Sequence, residues 1–152
     1  VPYVASVSEV ELKGSAKRVT LTQTLPSITV KKELLFYPDG HYDLSISLSK
    51  DKRYFIYLGQ RPKVNEKEQM MSAVGAMVYT DDELLTILED GDVDSRKVFS
   101  GVELVTSFDQ YTAIVMYGFD KDENIIVDRD KDDNPVVYFE GTQHMKLHGY
   151  IG

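Results

Sequence analysis

The sequence predicts an α+β fold: a mainly antiparallel β-sheet, arranged as a meander, open barrel or sandwich, with two short helices inserted mid-chain. Three observations carry that expectation. Residues 41–49, HYDLSISLS, alternate apolar and polar side chains without a fault. Two segments between residues 65 and 91 each open with a helix-capping signature. Short β-branched and aromatic runs then recur at about ten-residue spacing to the C-terminal end.

The elements follow in order. The first ten residues read as a weak strand. KRVTLTQTL (17–25) sets Val19, Leu21 and Leu25 opposite Arg18, Thr20, Thr22 and Thr24, and ITVKKELLFY (28–37) puts Ile28, Val30, Leu34 and Phe36 on one face. Pro38-Asp39-Gly40 then supplies a preset φ and a residue tolerant of positive φ, which makes a hairpin with 41–49. RYFIYLG (53–59) and YTAIVMYGF (111–119) are apolar or aromatic on both faces, the pattern of strands covered on both sides. NEKEQMMSAVGAMVY (65–79) pairs Asn65 with Glu68 as a capping box and sets Met70, Met71, Val74, Met77 and Val78 on one helical face. TDDELLTILEDG (80–91) repeats the device with Thr80 and Glu83, and Gly91 can close the second helix. Strands around 111–119, 124–128, 135–140 and 143–151 complete the pattern.

At 152 residues the chain fits one domain, 1–152, and its 42% hydrophobic and 28% charged residues place it among globular rather than disordered chains. It has no cysteine, which excludes disulfides, thiolate metal sites and cysteine nucleophiles. No apolar run approaches the ~20 residues of a membrane-spanning helix. The net charge of −8 is polarised: residues 1–63 hold ten Lys/Arg against six acids, and the remainder holds seven against nineteen. Opposite charges of this kind favour oriented, head-to-tail association or a charged protein partner.

Residues 120–137, DKDENIIVDRDKDDNPVV, nearly repeat themselves after ten positions. Asp128, Asp130, Asp132 and Asn134 fall at positions 1, 3, 5 and 7 of a calcium loop of the EF-hand type. Position 6 is Asp133 instead of Gly and position 12 is Phe139 instead of Glu, so the EF-hand is excluded. In both copies polar residues precede a β-branched run, the order of a turn followed by a strand. The expectation is two turns, with an Asp-rich cation loop at Asp128, Asp130, Asp132 and Asn134 as the alternative.

His41, His144 and His148 are the three histidines. On a strand His144 and His148 share a face roughly 13 Å apart with Lys146 between them, too far to chelate one ion. His41, Asp43 and the neighbouring serines point in parallel from one strand and do not converge as a triad. No phosphate loop, dinucleotide fingerprint, nucleophile elbow or zinc-protease motif occurs, and no catalytic residue or cofactor is expected. Lys50, Lys52, Arg53, Arg61 and Lys63, around Tyr54, Phe55 and Tyr57, form the one basic stretch with the look of an interaction face. The overall acidity opposes nucleic acid as its partner.

These readings lead to a non-enzymatic structural or protein-interaction domain that self-assembles or binds a protein partner: a virion or appendage component, a secreted accessory domain, or an immunity-type protein. The alternative is a small-molecule-binding β-barrel or small hydrolase with a pocket between sheet and helices. Either protein is expected to be soluble, extracellular, virion-borne or cytoplasmic, with no membrane partner.

Overall fold

Alternating side chains become a strand wherever one face can be buried, and the described residues use that solution repeatedly. The computed structural model describes residues 1–58, 74–109 and 111–152. Among them lie the strands β1 (Val4–Ala5), β2 (Lys17–Thr24), β3 (Thr29–Phe36), β4 (His41–Leu48), β5 (Phe55–Tyr57), β6 (Gly75–Thr80) and β7 (Leu85–Glu89). They are followed by β8 (Lys97–Phe99), β9 (Val102–Phe108), β10 (Ala113–Tyr117), β11 (Ile125–Arg129), β12 (Pro135–Glu140) and β13 (His144–Ile151). The chain divides into two compact units, Val1–Tyr54 with Gly141–Tyr150, and Phe55–Glu140 with Ile151–Gly152.

The first unit is one antiparallel sheet in the order β1-β2-β3-β4-β13. The Pro38–Gly40 turn joins β3 to β4 as the sequence predicts: Tyr37 N donates to His41 O at 2.9 Å, and Gly40 takes φ 98°. Register aligns Val19, Leu34, Leu44 and Leu147 as one row across four strands. Val19, Leu44, Ile46, Leu48 and Leu147 are buried, each side chain contributing about 1.5–3 kcal/mol by leaving water. Beside that row Gly149 lies under the ring of buried Tyr42, and a Cβ there would overlap the ring. Glycine at this place in β13 is therefore a packing requirement.

The second unit holds two antiparallel sheets, β10-β9-β6-β7 and β5-β12-β11-β8. Val78, Val105, Ile125, Val127 and Phe139 are fully enclosed, and β12 packs against β6. Phe119 meets Phe139 edge-on at 5.2 Å, a favoured aromatic geometry.

The sheet content matches the expected antiparallel architecture; the helices do not. Among the described residues there is no helix. The first helix was expected over 65–79, of which residues 65–73 lie outside the described residues and Gly75–Thr80 are β6. The second, over 80–91, is a tight turn followed by β7. The apparent capping box is a hairpin turn: Thr80 N donates to Leu84 O, Glu83 N donates to Thr80 O, and the Thr80 hydroxyl bonds Asp82 and Leu84 O. Hydroxyl and carboxylate side chains satisfy backbone donors in turns as well as at helix starts, so the same letters serve both. Leu85–Glu89 is a short apolar run, for which helical and strand periods are not separable. RYFIYLG is corrected too: among the described residues β5 ends its sheet, and Phe55 and Tyr57 are exposed rather than covered.

Glu83 sits at φ +64°, in the left-handed region where a side chain is disfavoured. Glu83→Gly is expected to raise the unfolding free energy by about 1 kcal/mol, read from urea denaturation; an unchanged or lowered midpoint contradicts the turn.

Candidate functional site

The polar face of the first unit's sheet is where chemically capable side chains gather. Pairing of β4 with β13 sets Asp43 opposite His148, Ser45 opposite Lys146, Ser47 opposite His144 and His41 opposite Tyr150. On β3 the same rows continue through Leu35, Glu33 and Lys31, and on β2 through Arg18, Thr20 and Thr22. All three histidines thus stand on one face, opposite the leucine row. Leu48 N donates to Gln143 O, so the alternation of an antiparallel ladder leaves Asp43–His148 as a non-hydrogen-bonded pair. Side chains approach most closely at such pairs.

Asp43 is the centre of the cluster. Its Oδ1 lies 2.6 Å from His148 Nδ1, and its Oδ2 accepts the Tyr37 hydroxyl at 2.8 Å. The His148 hydrogen bond is the main cause holding the Asp43 carboxyl below the ordinary range; partial burial opposes it, and Tyr37 adds to it. Beside it His41 Nδ1 lies 3.0 Å from Asp39 Oδ2, and its ring tilts against Tyr150 at 5.0 Å. The His41 backbone N–H, then its ring, lowers the Asp39 carboxyl. His144 Nδ1 is 3.3 Å from Ser47 Oγ. Glu33 bridges Lys31 at 3.0 Å and Arg18 at 3.4 Å, with Lys31 the chief cause of its lowered pKa.

With Asp43 on Nδ1, the His148 ring is held in orientation. The next residues on that face, Lys146 and Tyr150, stand about 7 Å away along the strand. The face thus presents polar side chains and an oriented imidazole. Among the described residues no group of three or more His, Cys, Asp or Glu side chains could hold a metal ion.

The Asp-rich repeat is used differently in its two copies. Residues 130–134 close the β11–β12 hairpin: Asp130 Oδ1 accepts the Asp132 and Asn134 N–H groups at 2.8 and 3.0 Å, and Asp133 takes φ 59°. Partial burial of Asp130 raises its pKa, but the Asn134 and Asp132 donors outweigh it and leave the carboxyl lowered. Asn134 Oδ1 accepts Gly91 N at 3.1 Å, and Asp128 Oδ1 accepts Arg129 N at 2.9 Å. Each of these three thus spends an oxygen on a neighbouring backbone donor, while Asp132 is exposed. Residues 120–124 join β10 and β11, which belong to different sheets, so the copies are not successive turns of one meander. Of the basic stretch, Lys50, Lys52 and Arg53 are exposed just before β5, and Arg61 and Lys63 lie outside the described residues.

No protein-family model matches the chain. It is 34% identical, over its whole length, to the membrane protein insertase YidC of Campylobacter jejuni. The insertases of the same name from Wolinella succinogenes and Helicobacter pylori are 31% and 30% identical over 99% of the chain. The chain is similar to part of a membrane protein insertase. It spans 28–29% of the length of these relatives.

That similarity overturns three expectations. The relatives are insertases, not virion, appendage, secreted-accessory or immunity-type proteins, and not barrels or hydrolases of the kind named above. A self-assembling structural homo-oligomer does not match them either. A chain with no membrane partner conflicts with relatives named for membrane proteins, whereas a protein partner fits. The physical reason for the error is that charge polarity and missing catalytic motifs constrain association and chemistry, and neither reports function.

Because the folded-state pKa of Asp43 is lowered from 3.8, its contribution is present above about pH 4 and lost as pH falls through the lower folded value. Asp43→Asn is expected to lower the urea midpoint at neutral pH, with the gap to the parent closing on acidification below pH 4. A gap of constant size across the titration contradicts the Asp43–His148 assignment.

Proposed function

We propose that this chain is a β-folded domain of a membrane protein insertase, standing outside the bilayer on the periplasmic side and holding protein partners or clients close to the membrane. The observation that carries the reading is coverage: 99–100% of the chain aligns with 28–29% of proteins that bear that name. No described helix is long and apolar enough to cross a membrane, which fits a part of the insertase other than helical spans. A cysteine-free chain is also indifferent to an oxidising compartment.

Two measurements on the full-length protein test this. Its depletion is expected to leave newly made membrane proteins extractable at alkaline pH, whereas normal integration contradicts an insertase role. Ser95 is exposed and the chain has no native cysteine, so Ser95→Cys gives a single label site. A membrane-impermeant maleimide should label it in cells with a permeabilised outer membrane and an intact inner membrane. Labelling only after the inner membrane is opened contradicts the periplasmic placement.

A further inference from the structure

β7 ends its sheet among the described residues, and it does so without the usual protections. Natural edge strands are shortened, bulged, or guarded by Lys or Pro, because an open row of backbone groups invites another strand. β8, at the end of the other sheet in the second unit, is three residues long and carries Lys97, and β1 is two residues long. β7, Leu-Thr-Ile-Leu-Glu, has five residues, no Lys or Pro, and a continuous register with β6 from Leu85 to Glu89.

The ladder also says which groups face outward. Thr80 N donates to Leu84 O and Asp90 N donates to Val74 O, which fixes positions 84, 86, 88 and 90 as those bonded to β6. The N–H and C=O groups of Leu85 and Ile87 and the N–H of Glu89 therefore point off the edge, while the Glu89 carbonyl accepts Asp92 N at 3.2 Å. The side chains of the same three residues stand on the exposed face, with Leu85 49% and Ile87 50% accessible. Behind Leu85 and Ile87 lie Tyr79 and Met77 of β6, half-buried, which continue the apolar surface inward.

Charge completes the description. Residues 74–95 contain Asp81, Asp82, Glu83, Glu89, Asp90, Asp92 and Asp94 and no Lys or Arg. The apolar edge is bounded at both ends by carboxylates, at the 81–83 turn and at 89–94. A strand that supplies apolar side chains at its centre and cations at its ends matches the edge in hydrogen bonding, apolar contact and charge at once. An anionic lipid surface would be repelled.

We infer that β7 is a docking edge for a polypeptide segment of another protein, apolar in its centre and flanked by Lys or Arg, which adds to the sheet as an extended strand. The inference stands on the second unit's geometry and does not depend on the chain belonging to an insertase.

The test uses the full chain and a short labelled peptide with a Val-Thr-Val-Thr-Val centre and two Lys at each end. Binding is expected by fluorescence anisotropy, weakening as salt is raised, with slowed amide exchange at Leu85, Ile87 and Glu89. Ile87→Pro removes one outward N–H while leaving the bonds to β6 in place, and should abolish binding. Ile87→Lys, at an exposed position, should abolish it by repulsion and serves if the proline variant does not fold. Tyr57→Ser, on the other sheet, should bind as the parent does. Equal binding of a peptide with Glu ends, or binding without protection of the three amides, overturns the proposal. So does protection of those amides by phosphatidylcholine vesicles, or by concentration-dependent dimerisation of the chain alone.

Discussion

The return of β13 to β4 is the constraint on which the first unit depends. Residues 144–150 pair with residues 41–47, far back in the chain, and only their register aligns Leu147 with Leu44, Leu34 and Val19 as a single apolar row. A slip of one residue would turn that row outward and the polar row inward, so the leucines that bury the face also fix which side chains meet on the other. Asp43 and His148 lie together as a consequence of apolar packing on the opposite face. Gly149 under Tyr42 tightens the same choice, since a side chain one place along would collide with the ring.

The parts of the fold that the sequence disclosed were those in which one local signal had one structural meaning. HYDLSISLS could only be a half-buried strand, and Pro38-Asp39-Gly40 could only turn it back on β3. The parts it hid were those in which one signal had two meanings. Thr80 followed by Glu83 reads as a capping box, yet the same hydroxyl and carboxylate groups tie a hairpin at Thr80–Leu84. Both neighbours of Asp43 on its own strand were visible; its partner His148 was not, because the contact is made across 105 residues. A usable signal did exist in the matching polar faces of 41–49 and 143–151, which share the period of partner strands.

The exposed apolar residues carry the second lesson. Phe55 and Tyr57 read as covered in a linear scan, because hydrophobicity does not say which strands end a sheet, and Leu85 and Ile87 are exposed as well. Placed at edges and on an outer face, they are surface. The −12 imbalance of residues 64–152 is then better understood as local acidity around particular surfaces than as a dipole for self-assembly.

The register of β13 on β4 is the central claim, and the absence of native cysteine makes it directly measurable. Ser45 and Lys146 are paired at a non-hydrogen-bonded position, where a disulfide can bridge two strands. The variant Ser45→Cys with Lys146→Cys should oxidise to an intramolecular disulfide in the folded chain and do so far more slowly in urea. Rapid cross-linking of Ser45→Cys with His148→Cys, in place of that pair, would contradict the account.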